Sequence, residues 1–257
     1  MRTAGSKAKG LLWVVVAIVI ASVAAIGLPY FAKHVPWSVE RWMAGAFGSP
    51  SVGPPCQGNS NPESLALFQK VVKRIYPLYP EDNSLPISID VVPGNTVNAF
   101  ATLGGHIYVY DGLIKQAESA DELAGVLAHE IEHVRNRHII QSIAVNLFTI
   151  ETLRFLLPGN HQVDAQVAYL LLNLKFSRQQ EYEADERGLE RLRAAHVDAA
   201  GFQQFFARAE KMPSPPQILS NHPSSEYRAQ LAERFRGYPT EPIMDLTEWK
   251  ILRTICQ

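Results

Sequence analysis

The sequence predicts an α+β fold, mostly helical with a small antiparallel sheet, preceded by one N-terminal transmembrane helix. Three observations point there. From Pro62 to Phe235, apolar residues recur mainly at three- and four-residue spacing, the period of helices. Short stretches alternate instead: Ile87 to Val92, then Asn98 to Thr102 and Ile107 to Tyr110, separated by Gly104-Gly105 as a hairpin is by its turn. Finally, Leu11 to Tyr30 carries no charge over twenty residues. As a helix that length crosses about 30 Å, the thickness of a bilayer core.

The elements follow in order. Residues 1–10 are basic (Arg2, Lys7, Lys9) and are expected to stay in the cytoplasm. Residues 11–30 read as a signal-anchor, which would send the rest of the chain to a periplasm or the cell exterior. A cleaved secretory signal is the competing reading, with Ala21 to Ala25 as the small residues a peptidase needs; the apolar stretch is long for one. Residues 31–61 form a juxtamembrane segment and a linker. Trp37 and Trp42, with Lys33 and Arg41, are placed as interfacial anchors, and Gly48 to Pro55 reads as the linker. The main domain is assigned to 62–236 and a tail to 237–257, with a short helix docked by Trp249.

Within the domain, a helix from Pro62 ends before Pro77 and Pro80. A second spans Asp121 to Arg137, with Asp121 as its N-cap and an interior Gly125 of small cost. Ile139 to Leu157 is apolar enough to suggest another membrane span. Gln141, Asn146, Glu151 and Arg154 argue for an amphipathic helix instead. Pro158 to Asn160 then turns into a helix over Val163 to Lys175. Further helices cover Phe176 to Ala195, Ala199 to Lys211 with Phe202, Phe205 and Phe206 as core, and Ser224 to Phe235.

Composition narrows the function. The chain has 257 residues, 47% hydrophobic, with a formal net charge of -1. That suits one catalytic-sized domain plus an appendage and, with no dense basic run, speaks against a nucleic-acid binder. The two cysteines, Cys56 and Cys256, match no metal pattern. The tail brings Cys256 back towards the body, where an oxidising compartment would allow pairing with Cys56; the sequence leaves that pairing open.

The chemistry concentrates in His129-Glu-Ile-Glu-His133. Residues four apart on a helix share a face, so His129 and His133 can hold one metal ion through their imidazoles. Glu130 lies one step round, placed to take a proton from water at the open position. Such a site needs a third ligand. Glu181, in Glu181-Tyr-Glu-Ala-Asp185, can supply it from an antiparallel helix, and Asp185, one turn on, can fix the tautomer of a ligating histidine. Glu183 and Glu186 read as solvated surface carboxylates. His222, before Pro223 at a helix entrance, reads equally as a donor to an oxyanion and as a surface loop histidine. His138 is not a metzincin third ligand, because that pattern needs Gly and His where this chain has Asn136 and Ile139.

Four stretches together resemble a known family: Asn98 to Tyr110, His129 to His133 with Arg137-His138, Ser177 to Asp185, and Asn221 to Ser224. They resemble peptidase family M48, the zinc metallopeptidases that include the CAAX prenyl endopeptidases, the HtpX heat-shock proteases and the Oma-type and periplasmic peptidases. The resemblance implies a gluzincin-type fold and one zinc ion held by His129, His133 and Glu181, with Glu130 as general base and acid. It implies that Asn98, Ala99 and Phe100 lie on an edge strand to which a polypeptide substrate adds. It also places His222 in a His-Pro loop near the metal, gating the cleft or stabilising the intermediate. The long membrane segments of the prenyl endopeptidases are missing, which favours the periplasmic-type branch. The expectation is a metalloendopeptidase anchored in a bacterial inner membrane by a single span, its domain facing the periplasm, acting in quality control or processing. Two alternatives stand beside it: a self-inhibited metallopeptidase fold serving as a chaperone or assembly adaptor, and a zinc hydrolase of a non-peptide bond.

Overall fold

The central helix, α4 (Ala120–Arg135), is buried along its whole length except at Asp121 and Arg135. The structure is a computed structural model that describes residues 23, 27–47, 52–56, 61–156, 174–213, 215–222 and 226–257. The remaining helices are α1 (Trp37–Phe47), α2 (Pro62–Ile75), α3 (Asp111–Gln116), α5 (His138–Leu156), α6 (Arg178–Ala194), α7 (Ala200–Glu210), α8 (Gln217–Asn221), α9 (Glu226–Arg234) and α10 (Leu246–Leu252). The strands are β1 (Ser88–Val92), β2 (Ala99–Ala101) and β3 (His106–Tyr110).

The N-cap of α4 is Ser119, not Asp121. Its hydroxyl accepts the Glu122 N–H, and the Glu122 carboxylate accepts the Glu118 N–H. Asp121 lies inside the first turn, where its charge suits the positive end of the helix dipole. Helix α4 packs most extensively on α6 and then on α7. Gly125 makes the second contact possible, since a Cβ there would stand 2.8 Å from the Cβ of Phe202.

The sheet is mixed rather than antiparallel. Its order is β1-β3-β2, with β1 parallel to β3 and β2 antiparallel to β3. The hairpin expected around Gly104-Gly105 is there. The loop from Pro93 to Asn98, however, skips a strand's width, so that β3 returns between β1 and β2. Positive φ at both glycines makes the turn, and at Gly105 a Cβ would meet the Pro86 carbonyl oxygen at 2.4 Å. Ala99 and Ala101 face the core under α4, whereas Phe100 packs on the other face with Val52, Val92, Tyr108 and Tyr110.

Helix α1 does not behave wholly as an interfacial segment. Glu40 is buried, accepting the Gly104 N–H at 3.1 Å and pairing with Arg137 at 2.8 Å. Trp37 is half-buried beneath the Arg137 guanidinium, 3.7 Å from its ring centroid, while Trp42 points outward. At the other end of the chain, α10 docks on α2 through Trp249 and Leu252, and Cys56 and Cys256 are joined as a disulfide.

Helix α5 has no single apolar face: Gln141, Ser142 and Asn146 are interspersed among its apolar residues. Among the described residues, no helix is long and apolar enough to cross a membrane. Most of the expected anchor at 11–30, and the expected turn and the helix over Val163 to Lys175 except its last two residues, lie outside the described residues; Leu174 and Lys175 are not helical.

Candidate metal centre

Helices α4 and α6 bring the donors together. His129 and His133 project from α4, and their Nε2 atoms stand 3.0 Å apart. Helix α6 begins with a capping box in which Ser177 accepts the Gln180 N–H and Gln180 reaches back to the Ser177 N–H. That fixes the first turn, and Glu181 follows at once. Its carboxylate lies 3.5 Å from His133 Nε2 and 3.7 Å from His129 Nε2. His222, at the end of α8, completes the group: its Nδ1 is 3.0 Å from His129 Nε2 and 3.1 Å from Glu181 Oε1. All four residues are buried, and their donor atoms lie within 4.8 Å of one another.

The donors fit a metal ion. Around a tetrahedral zinc with bonds of about 2.0–2.1 Å, neighbouring ligand atoms stand roughly 3.3 Å apart, close to the separations here. Two imidazole nitrogens facing each other at 3.0 Å share at most a proton unless a cation lies between them. Glu181 Oε2 and Glu130 Oε1 are buried with no hydrogen-bond partner within the chain. The nearest charged groups the chain itself offers them are Arg228, 3.6 Å from Glu181 Oε2, and His222 Nε2, 3.3 Å from Glu130 Oε1.

A second layer orients the rings. Asp185 Oδ1 is 2.9 Å from His129 Nδ1. If that nitrogen carries the proton, the Nε2 lone pair faces the cluster. Both Asp185 oxygens are also held by Arg228, at 2.8 and 2.9 Å. Burial opposes the charge on Asp185, but Arg228 and His129 outweigh it and hold the carboxyl below its usual range. Arg228 also lies over Phe206, 4.1 Å from the centroid, and 3.6 Å from Glu181.

His133 has a different support. Its Nδ1 meets His138 Nδ1 at 3.1 Å, and His138 Nε2 lies 3.4 Å from Glu183. Phe176 stacks on the His133 ring at 3.8 Å. The Glu183 side chain is partly solvent-exposed, as expected, and also touches this support. Burial lowers the pKa of His133 well below the usual value; burial also lowers that of His138, to about 4 against the pull of Glu183.

Glu130 is fully buried beside the cluster. One oxygen accepts the Ala101 N–H at 2.9 Å, and the other lies 3.3 Å from His222 Nε2. Burial pushes its pKa up, with His222 and His129 pulling the other way. His222 is buried, not a surface loop residue. Burial disfavours its charge, yet Glu181 and Glu130 outweigh that and carry its pKa up to about 9. Glu181 is lowered: burial would raise it, but His222 and His129 prevail.

Of the residues expected on the substrate edge, Asn98, Ala99 and Phe100 are all buried, and β2 is one of the two edge strands of the described sheet, β1 being the other. The backbone group that reaches the centre from that strand is the N–H of Ala101. The Ile218 N–H of α8 meets the Val97 carbonyl just before β2, at 3.4 Å, so the segment carrying His222 abuts the start of that edge.

Comparison with known proteins agrees with this architecture. Residues 69–235 match the profile of peptidase family M48. The chain is 33% identical over 176 residues to a putative beta-barrel assembly-enhancing protease of Vibrio cholerae, covering 62% of this chain and 36% of that protein. It is 31% identical over 174 residues to the mitochondrial metalloendopeptidase OMA1 of Schizosaccharomyces pombe, covering 65% and 51%. It is 31% identical over 158 residues to the metalloprotease LoiP of Escherichia coli, covering 58% and 62%. The chain thus spans between about a third and under two thirds of each of these relatives.

Proposed function

We propose that this chain, which belongs to peptidase family M48, is a zinc-dependent metalloendopeptidase acting on extracytoplasmic polypeptides. The observation that carries the reading is the convergence of His129 Nε2, His133 Nε2 and Glu181 in a buried cluster beside an equally buried Glu130. His129, His133 and Glu181 would hold the ion. When bound, zinc supplies Lewis acidity, lowering the pKa of water to about 7 and polarising a carbonyl. The chain's own residues supply the rest. Asp185 and His138 orient the two imidazoles. Glu130 takes a proton from the attacking water and passes it to the leaving amine. Burial raises its pKa and so makes Glu130 a stronger base towards that water than a solvated carboxylate would be. The outer edge of β2 offers backbone groups to an extended substrate chain, with Asn98, Ala99 and Phe100 at its start.

One relative's name, a putative beta-barrel assembly-enhancing protease, supports protein assembly or quality control as the setting. The apolar stretch 11–30 supports a single-pass anchor in a bacterial inner membrane, with residues 62–236 on the periplasmic side. The disulfide is in keeping with an oxidising compartment.

A second reading has its own observation. His222 Nδ1 lies as close to the cluster as the other donors do, where a fourth ligand would stand. In that state His222 closes the site, and α8 crowds the edge strand. The chain would then be self-inhibited and act mainly as an adaptor until the His222 segment moves. Two experiments test these readings. Chelation should abolish casein or peptide cleavage, and one equivalent of zinc should restore it; cleavage that survives metal removal would contradict the metallopeptidase. His222→Ala should raise cleavage if His222 gates the site, and lower it if His222 serves the oxyanion.

A further inference from the structure

Among the described residues, six large apolar side chains are exposed, and five of them lie before residue 43: Val23, Tyr30, Phe31, Val39 and Trp42. The sixth, Leu246, is far along the chain. Phe31 and Trp42 are 72% and 71% exposed. Scattered exposed apolar residues are ordinary, but such concentration on one segment is not. On α1, Val39 and Trp42 are three residues apart and share a face, while Glu40 and Ala44 turn inward towards the domain. The helix therefore shows an apolar face outward.

Charge selects what this face meets. Lys33 and Arg41 are exposed beside the aromatics, and Lys33 lies over the Tyr30 ring at 4.7 Å. From residue 1 to residue 62 the only acid is Glu40, which is buried against Arg137. An outward face of aromatic and basic residues, directly after an uncharged stretch of membrane-spanning length, matches an anionic lipid interface better than a protein partner.

The same helix is fastened to the candidate centre. Glu40 accepts the N–H of Gly104 in the β2–β3 turn, and its partner Arg137 follows α4 by two residues. Gly104 is three residues from Ala101, whose N–H holds Glu130. Three residues span at most about 11 Å, and a helix with its side chains is about 10–12 Å thick. The outer face of α1 thus lies within about 20–25 Å of the catalytic edge strand.

We propose that the outward face of residues 31–42 rests on the lipid headgroup interface and, through Glu40 and Arg137, holds the cleft at the bilayer surface. The polypeptides it takes are then segments emerging from or lying on the membrane. The substrate half of this proposal rests on the peptidase reading; the surface half does not.

The test uses the full chain in vesicles of phosphatidylcholine and phosphatidylglycerol. Brominated lipids with shallow bromines should quench part of the tryptophan fluorescence, and Trp42→Phe should remove that part. The variant Phe31→Ser, Val39→Ser, Trp42→Ser should cleave a soluble peptide within twofold of wild type. It should cleave a peptide tethered close to a lipid headgroup at least tenfold more slowly. Trp42 that is shielded from lipid, whether by water exposure, a second copy or another protein, would overturn the surface. Equal loss on soluble and tethered peptides would overturn the claim that the surface selects membrane-proximal substrates. A wild type that cleaves neither peptide would contradict the peptidase reading and the substrate half with it, while the quenching would still decide the surface.

Discussion

His129 uses both ring nitrogens, one towards the donor cluster and one towards Asp185, and Arg228 holds the acid that holds the ring. Arg228→Met removes the cation but leaves Asp185 and Glu181 buried. The expected result is a 10- to 100-fold loss of zinc affinity, the usual effect of removing an outer orienting group, measured by competition with a chelating dye. A lowered melting temperature with unchanged affinity would make Arg228 a packing residue. Helical spacing pairs His129 with His133 and Glu181 with Asp185, Glu130 follows from its place in the His-Glu-x-x-His pattern, and the meeting of the two helices was implied only by the family resemblance. Arg228 and His138 were not. A buried arginine on a helix reads as an ordinary surface arginine, and His138 gains its place from the break after α4, where Arg137 has φ of 62°.

Helix α4 makes opposing demands on Gly125. By helix propensity, Gly125→Ala should stabilise by about 1 kcal/mol. By packing, the new Cβ meets Phe202 at 2.8 Å, and overpacking costs about 1–3 kcal/mol. We expect packing to prevail and the melting temperature to fall; a rise would show that α7 gives way freely. The helix does run uninterrupted through Gly125, as expected, while its contact with Phe202 is not visible in propensity. The N-cap was a different kind of miss: Ser119-Ala-Asp-Glu122 carries a capping-box pattern, but Asp121 is also a cap-forming type and lies nearer the apolar run. The mixed sheet could not be read locally. Which strand lies between two others depends on the width of the loop from Pro93 to Asn98, not on alternation within any strand.

Across the whole molecule, buried ion pairs and one covalent link tie the layers together. Arg191, fully buried on α6, bridges Glu132 of α4 and Asp82, each at 2.8 Å, and reaches the end of α2 through the Ile75 carbonyl. Burial would raise the pKa of Asp82, but Arg191 and the N–H groups of Leu78 and Tyr79 hold it below the usual value. A carboxyl with a depressed folded-state pKa stabilises fully above its unfolded pKa of about 3.9 and loses that contribution as pH falls through the folded value. Asp82→Asn should therefore lower stability near neutrality and flatten its fall in acid, read by denaturant unfolding across pH. The Cys56–Cys256 link spans 200 residues of sequence. Removing it with Cys56→Ser and Cys256→Ser should cost about 2–5 kcal/mol of unfolding free energy; an unchanged midpoint would mean that α10 is held by packing alone. The central claim is that Glu130 performs proton transfer beside a zinc ion held by its neighbours. Zinc content and peptide cleavage, compared in the wild type and Glu130→Gln, test it most directly. The account predicts about one zinc per chain in both proteins, with cleavage only in the wild type. Undiminished cleavage by Glu130→Gln, or no zinc in either protein, would contradict it.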